Sequence, residues 1–218
     1  MSRPTALVRI VTLVISAIYS VVLFILGYDL PVWWRSVVSF LPTLTVAGVV
    51  LWDLWFWCIP GVQKIVRRPD LRGLWRVTLT PHPNSHIPGS GNRGPIAAFL
   101  EVKQSFWAVH LRLYTDQSAS KSTATTWLPA HESSVDNLTF TYDNTPKMSE
   151  SHRSMRSAGA CNLHPTSLKP EEVEGTYFTD RFTKGDMVLT LVDRTSGYPS
   201  FAAATKYADE ADRKTKTA

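Results

Sequence analysis

The chain begins with a hydrophobic segment long enough to cross a membrane as a helix. In residues 5–27, the stretch from Ile10 to Leu26 carries only hydroxyl groups as polar side-chain atoms. A membrane-spanning helix needs about 20 mostly apolar residues. The segment therefore predicts a transmembrane helix, and the rest of the chain must fold beside or outside a bilayer.

A second apolar segment follows after a short connector, residues 28–36. It covers residues 37–59 and contains Pro42 and Asp53. Five of the eight tryptophans lie within residues 33–57, near the two ends of this segment, as in the aromatic belts of membrane proteins. Residues 1–62 are therefore predicted to form a hairpin of two transmembrane helices.

Basic residues lie at the same predicted end of both helices. Arg3 and Arg9 precede the first span, and Lys64, Arg67 and Arg68 follow the second. The positive-inside rule then places both termini in the cytoplasm. The alternative is a cleaved signal peptide, but no small-x-small cleavage site is evident and a second span follows within about ten residues.

Three residues in the second span allow more than one interpretation. Asp53 is either a functional intramembrane acid or an acid close enough to the helix end to reach the interface. Pro42 either kinks the span or lies in its first turns, where proline costs little. Cys58 is either a palmitoylation site or a small buried residue.

The charge is concentrated in the hydrophobic part. Of a net charge of +5, residues 1–68 account for six Lys/Arg against two Asp/Glu, and the remaining residues for seventeen against sixteen. The second part therefore lacks the basic surface of a DNA- or RNA-binding domain, and no nucleic-acid polymer is predicted as a partner. Two cysteines in 218 residues also exclude a disulfide-stapled scaffold.

After a basic tether at residues 63–70, the apolar period changes to two. Trp75, Val77 and Leu79 alternate with polar residues, and Trp107, Val109, Leu111 and Leu113 form one face of a later strand. Residues 81–95 are predicted to be a loop. The strand predictions are 75–79, 96–104, 106–115, 123–130, 137–143, 157–163, 173–180 and 186–194.

About eight short strands within residues 71–206 predict a compact antiparallel, lipocalin-like β-barrel, an all-β domain that follows the helical hairpin. An eight-stranded barrel has room inside for packed side chains or for one small ligand. Residues 207–218 are predicted to be a flexible tail.

Known catalytic motifs are missing from the sequence. His82 and His86 share a loop without an evident third metal ligand, so no metal site is predicted. Cys161 and His164 are the one pair that suggests a nucleophile and base, and neighbours in sequence do not establish such a pair. We therefore expect no catalytic residues, no metal and no enzymatic activity.

Two segments carry a resemblance to a known family. LRGLWRVTL, residues 71–79, directly follows the hairpin and tether, and EGTYFTDRFTKGDMVLTLVDR covers residues 174–194. A Gly-x-Trp strand after two spans, with a later Gly-x-Tyr strand that turns through Thr-Asp-Arg, resembles the two-transmembrane β-barrel effectors of CBASS. CBASS is the cyclic-oligonucleotide-based anti-phage signalling system of bacteria.

The resemblance implies a receptor and effector rather than an enzyme. Its activating ligand would be a cyclic di- or trinucleotide bound by the barrel, with no other cofactor. Ligand binding would assemble a homo-oligomer that disrupts the lipid bilayer of the bacterial inner membrane, causing abortive infection. A two-helix hairpin cannot enclose a water path alone, so membrane damage requires several chains.

A cyclic nucleotide needs basic groups for its phosphates and aromatic faces for its bases. In the family-like turn, Arg181 is the first candidate for phosphate and Tyr177 for a base, with Thr179 on the same side. The alternatives are that Arg181 closes the barrel base by packing on Trp75 and that Tyr177 is a core residue. The second choices, on the more polar strand faces, are Arg76, Arg112 and Tyr114.

Three rival functions remain open at this stage. A membrane-anchored lipocalin-like barrel could bind an apolar small molecule. An uncharacterised membrane enzyme could use Cys161 and His164. A membrane adaptor could bind protein through an exposed apolar patch.

Overall fold

The computed structural model describes residues 3–26, 31–87, 91–129, 135–150 and 155–217. Tyr28, in the predicted connector, lies outside the described residues. The chain divides into two units. The first comprises Met1–Val62 with Ser105–Trp107, and the second comprises Gln63–Gln104 with Ala108–Ala218.

The first unit contains a pair of apolar helices, α1 (Arg3–Leu26) and α2 (Val32–Leu54). Among the described residues, one helix is long and apolar enough to cross a membrane, through its segment Arg9–Leu26. The apolar part of α2, Ser39–Leu54, is shorter. The second apolar segment was predicted to run to residue 59, but α2 ends at Leu54 and a 3-10 turn follows at Phe56–Cys58.

Polar side chains join the two helices. Thr43 donates a hydrogen bond to the Ser16 carbonyl oxygen at 3.0 Å, and its hydroxyl also contacts that of Ser20. Asp53 is buried, forms an ion pair with Arg9 and accepts a hydrogen bond from the backbone N–H of Trp107. Asp53 is therefore paired inside the unit and does not simply reach outward from a helix end.

The second unit is built around a closed barrel in which each strand pairs antiparallel with the next and the last pairs with the first. The short helix α3 (Pro60–Val66) precedes it in the chain. The strands are β1 (Gly73–Pro81), β2 (Ile96–Gln104), β3 (Val109–Tyr114), β4 (Ser118–Leu128), β5 (Asn137–Pro146), β6 (Ser157–His164), β7 (Glu172–Thr179) and β8 (Lys184–Asp193).

The predicted alternation of apolar and polar residues matches the alternation of inward and outward side chains along the barrel strands. Trp75 and Val77 are buried in the interior core with Leu111 of β3, while Arg76 between them pairs with an outer helix. Trp107 was predicted to share the inner face of β3 but belongs to the first unit and is 59% exposed. The strand begins only at Val109, because the β2–β3 turn occupies the preceding residues.

The glycines of both family-like segments are required by close backbone packing. Gly73 has φ of +128°, and a Cβ there would overlap the Asp193 carbonyl oxygen of β8. A Cβ on Gly175 would come too close to the Asn162 carbonyl oxygen on β6. In both segments, glycine allows the neighbouring strand to approach while the aromatic residue two positions later faces the interior.

Arg194 closes the base of the barrel. Its guanidinium carbon lies 5.6 Å from the centre of the Trp75 ring, and its two amino groups donate to the carbonyl oxygens of Asp70 and Pro170 at 2.7 and 2.6 Å. The alternative that placed Arg181 on Trp75 is therefore wrong, because a different arginine, just after β8, holds that position.

A fourth helix, α4 (Phe201–Thr217), packs on the outer wall. Residues up to 206 had been assigned to the barrel, and those from 207 on to a flexible tail or at most a frayed helix. Ala204 and Ala208 are fully buried against Leu74 and Phe99. The apolar stripe was missed because alanines supply its centre, and alanine at i and i+4 is a weak hydrophobic signal. Small residues there allow the helix to lie close to the sheet.

We predict that Arg194→Met lowers the free energy of unfolding by about 2 kcal/mol, since two carbonyl oxygens lose a charged hydrogen-bond donor. Denaturant unfolding of the full chain in detergent, followed by tryptophan fluorescence, measures this. Lys206→Met, which removes the same charge from an exposed position on α4, is the matched control and should change stability by less than about 0.5 kcal/mol. Equal effects of the two changes would contradict the role given to Arg194.

Candidate functional site

A cavity of about 230 Å³ lies inside the barrel, toward the end opposite the start of β1. The β3–β4, β5–β6 and β7–β8 connections lie at that end because the strands alternate in direction. The base, by contrast, is filled by Trp75 beneath Arg194. One half of the interior is therefore packed, and the other half has room for a ligand.

The cavity lining is apolar on one side of the barrel and polar on the other. Its apolar side chains come from β1, β2, β3 and β8, with one from β5: Leu79, Leu100, Leu111, Leu113, Met187 and Phe140. Its small or polar side chains come from strand ends and turns: Thr115, Ser118, Ser120, Ser122, Asn144, Ser157, Thr179 and Thr183. Such a lining suits a ligand that has both apolar faces and hydrogen-bonding groups.

The first three candidate residues, Tyr177, Thr179 and Arg181, all line this cavity. β7 ends at Thr179, so Arg181 reaches the cavity from the turn and not from the strand. The turn is held by the Thr179 hydroxyl, which accepts hydrogen bonds from the backbone N–H groups of Arg181 and Thr183 at 3.2 and 3.4 Å. The structure thus brings these three residues together, and their contact with ligand stays a prediction.

Burial keeps the other ionisable groups of the cavity neutral. Desolvation raises the pKa of the Cys161 thiol to about 12, and it also raises the pKa values of the Tyr142 and Tyr177 hydroxyls. Among the described lining residues, Arg181 alone carries a formal charge at neutral pH. The cavity therefore presents one cation within a neutral, hydroxyl-rich surface.

The second-choice candidates lie on the outside of the barrel. Arg76 forms an ion pair with Asp212 of α4 at 2.8 Å. Arg112 stacks over Tyr114 at 5.1 Å, and the Tyr114 hydroxyl donates to the Tyr198 carbonyl oxygen at 3.0 Å. The structure does not bring these three residues to the cavity, and a role for them in ligand binding stays a prediction.

Arg112 and Tyr114 belong instead to a larger outer groove of about 860 Å³, between β3–β5 and the start of α4. Its charged lining residues are Arg112, Asp116, Lys121, Asp143, Lys147 and Arg156. Lys147 lies 3.7 Å from Asp116, so part of its positive charge is balanced within the groove. The groove is open and of mixed charge, in contrast to the single cation of the cavity.

Sequence reasoning missed the lining residues of β4 and β5. Ser120 donates a hydrogen bond to the Asn144 side-chain oxygen at 3.0 Å, across the β4–β5 pair. Residues 118, 120 and 122 and residues 140, 142 and 144 each have the period of two that marks one strand face. That period could have identified them, but inward-facing serines resemble an exposed face when an apolar interior is assumed.

The structure does not support the residues that the sequence suggested for catalysis or metal binding. Cys161 is buried on the cavity wall, whereas His164 is exposed, and residues three apart on a strand point to opposite faces. His82 accepts a hydrogen bond from the Asn84 backbone N–H at 3.1 Å. Within the described ranges, no group of three His, Cys, Asp or Glu residues could hold a metal ion.

A closed barrel with a ligand-sized cavity places the second unit in the class of small-molecule-binding domains. Residues 66–191 match the profile of the family described as "Cap15, cyclic dinucleotide receptor domain". A curated relative, CD-NTase-associated protein 15 of Staphylococcus schleiferi, is 23% identical over 156 residues, which cover 72% of this chain and 79% of the relative. The chain belongs to the Cap15 cyclic dinucleotide receptor family.

This membership confirms two predictions made from the sequence. The resemblance to the CBASS effectors with a β-barrel sensor is confirmed, since the matching family is the Cap15 receptor family. The prediction that the protein is not an enzyme is also confirmed, because this is a family of receptors. The matched range covers all of β1 to β7 and most of β8.

The raised pKa of Cys161 gives a test of the cavity. At pH 8 a thiol with a pKa of about 12 is thiolate in roughly one molecule in ten thousand. In the Cys58→Ser chain, we predict negligible alkylation of Cys161 by iodoacetamide at pH 8, and complete alkylation after denaturation. Mass spectrometry measures both.

A cysteine at the mouth provides the control. Ser157→Cys, in a chain that also carries Cys58→Ser and Cys161→Ala, places a thiol on the polar half of the lining and should be alkylated in the native protein. Native alkylation of Cys161 as fast as that of this control would contradict the buried, desolvated environment described above.

Proposed function

We propose that the protein is a cyclic-dinucleotide-activated membrane effector of bacterial anti-phage defence. Family membership supports the class of ligand, and the relative's name links that relative to a CD-NTase. The N-terminal helices support a membrane as the target. In this proposal the barrel detects the nucleotide and the helices act on the inner membrane, which causes abortive infection.

The observation that carries the proposal is the position of Arg181 in the polar half of the barrel cavity. A phosphodiester needs a charged donor, and a guanidinium provides several N–H groups in a fixed geometry. Tyr177 supplies an aromatic ring on the same wall, and Thr179 supplies a hydroxyl. We propose that Arg181 contacts phosphate, that Tyr177 contacts a base and that Thr179 holds the turn that presents Arg181.

The apolar side of the cavity favours one alternative. Leu100, Leu111 and Leu113 would equally suit an apolar small molecule carried by a membrane-anchored barrel. A nucleotide differs from such a molecule because its phosphates need a charged donor, which Arg181 on the cavity wall can supply. The two functions therefore differ in whether an anionic ligand binds and whether its binding depends on Arg181.

Membrane action requires more than one chain in this proposal. One hairpin in lipid cannot line a water path, since its helices satisfy only their own backbone groups and have no lumen. The ligand must bind the assembled state more tightly than the single chain, or it cannot shift the equilibrium toward assembly. We propose two transmembrane helices, α1 and α2, with both termini and the barrel in the cytoplasm and a homo-oligomer on activation.

Titration calorimetry of the full chain in detergent, with cyclic di-AMP, cyclic di-GMP and 3′,3′-cyclic GMP–AMP, tests the receptor function. We predict binding of at least one member and a loss of about 10- to 100-fold in affinity for Arg181→Ala, since a charged hydrogen bond contributes about 1.5–3 kcal/mol. Arg76→Ala and Arg112→Ala are controls on the outer wall and should bind normally. Loss of affinity in one of these controls, with normal affinity in Arg181→Ala, would show that the nucleotide binds on the outer wall of the barrel.

Membrane action is tested with the full chain in lipid vesicles that hold a self-quenching dye. We predict that the cyclic dinucleotide identified by calorimetry releases the dye, with a rate that rises more steeply than linearly with protein per vesicle. The Arg181→Ala chain should release the dye only at ligand concentrations raised in proportion to its loss of affinity. Release that is independent of ligand, or linear in protein, would contradict a ligand-driven assembly.

A further inference from the structure

Phe182 is an unusual residue at the rim of the cavity. It lies in the β7–β8 turn, between Arg181 and Thr183, which both line the cavity. Its side chain is 81% exposed, and its backbone has φ of +59°. An exposed aromatic ring contributes no hydrophobic stabilisation to the fold. The left-handed region of backbone conformation is also unfavourable for a bulky L-residue. Neither the position nor the conformation is explained by folding stability.

The turn holds this strained backbone on both sides. The Phe182 N–H donates to the Thr179 carbonyl oxygen at 3.1 Å, and the Phe182 carbonyl oxygen accepts from the His86 N–H at 3.1 Å. The Ser85 hydroxyl accepts a hydrogen bond from the Lys184 N–H at 3.0 Å, which ties the same turn to the β1–β2 connection. The ring is thus presented from a fixed backbone, next to the arginine proposed to contact phosphate.

The size of the cavity indicates which part of a bound cyclic dinucleotide would lie against this rim. Its volume, about 230 Å³, is below the roughly 300–1,000 Å³ of typical ligand pockets. A cyclic dinucleotide carries two nucleosides on a phosphate–sugar ring, so a cavity of this size cannot enclose all of it. With one nucleoside inside and phosphate at Arg181, the second nucleoside extends past the mouth.

We propose that Phe182 is a ligand-binding residue whose ring stacks on the base that projects from the barrel. This inference rests on the proposed function, because it requires a cyclic dinucleotide in the cavity. Stacking on an aromatic face accepts any base, so Phe182 contributes affinity without selecting the base. The strain in the turn is then the cost of presenting a ring at a place where only the ligand covers it.

The experiment separates the ring from the backbone. Phe182→Asn removes the ring and supplies a residue that tolerates the left-handed region, so the turn is relieved and not broken. Phe182→Tyr and Phe182→Trp keep an aromatic face. Phe178→Thr is the matched control, because it removes a half-exposed ring from the neighbouring outer face of β7 and keeps a good strand residue.

Affinity is measured by calorimetry on the full chain in detergent with the three cyclic dinucleotides named above, and stability by thermal unfolding of the same samples. We expect Phe182→Asn to bind about ten-fold or more weakly while its unfolding temperature is unchanged or higher. Phe182→Tyr, Phe182→Trp and Phe178→Thr should bind within about threefold of the unchanged chain. A folded protein with higher stability and lower affinity cannot be explained by a structural role for the ring.

Several results would overturn the proposal. Phe182→Asn binding within about twofold of the unchanged chain, or an equal loss in Phe178→Thr, would show that the ring does not stack on the ligand. Normal affinity with loss of ligand-induced assembly would assign Phe182 to a contact between copies of the chain. If Arg181→Ala loses affinity while Phe182→Asn does not, only this inference fails, whereas an unchanged chain that binds no member of the panel removes the proposed function as well.

Discussion

The closure of eight antiparallel strands into a barrel is the constraint on which the site depends. A barrel of this size has an interior that side chains can just fill, so the size of each inward residue decides where space remains. Trp75 fills the base, and Arg194 covers it. Toward the other end the inward positions of β4 are serines. The cavity therefore exists because small residues replace large ones on the inner face of a wall whose geometry is fixed.

This division of the interior separates stability from recognition. The packed half contains the buried aliphatic cluster and the hydrogen bonds of Arg194, so substitutions there act on the whole domain. In the open half, the described cavity lining consists of apolar side chains, hydroxyls and the guanidinium of Arg181, several of them on strand ends and turns. Sequence changes at the mouth can alter the ligand without removing the core. A barrel of one architecture can in this way serve receptors with different ligands.

The strands could be predicted from the sequence because their alternation is strong, and the second, Ile96–Gln104, was predicted at its exact limits. Tyr177, Thr179 and Arg181 were placed on one side by their spacing, and they share the cavity. Helix α4 was missed because its buried centre is alanine. The structural role of Arg194 could not be deduced from the sequence, since its hydrogen-bond acceptors are two carbonyl oxygens that are distant from it in sequence. The local sequence pattern thus predicts which side chains point into the barrel. Which of the two arginines, Arg181 or Arg194, packs on Trp75 can be seen only in the closed barrel.

The placement of the charge follows from the same geometry. A guanidinium on a strand in the packed half would lose its water without gaining a partner, which is costly. Arg181 comes instead from the turn after β7 and is partly exposed. Its position suits a ligand whose phosphates remain at the mouth while an apolar base face enters between leucines and Tyr177. The cavity therefore offers apolar side chains beside hydroxyls and a guanidinium, the combination of groups that a nucleotide's base and phosphate need.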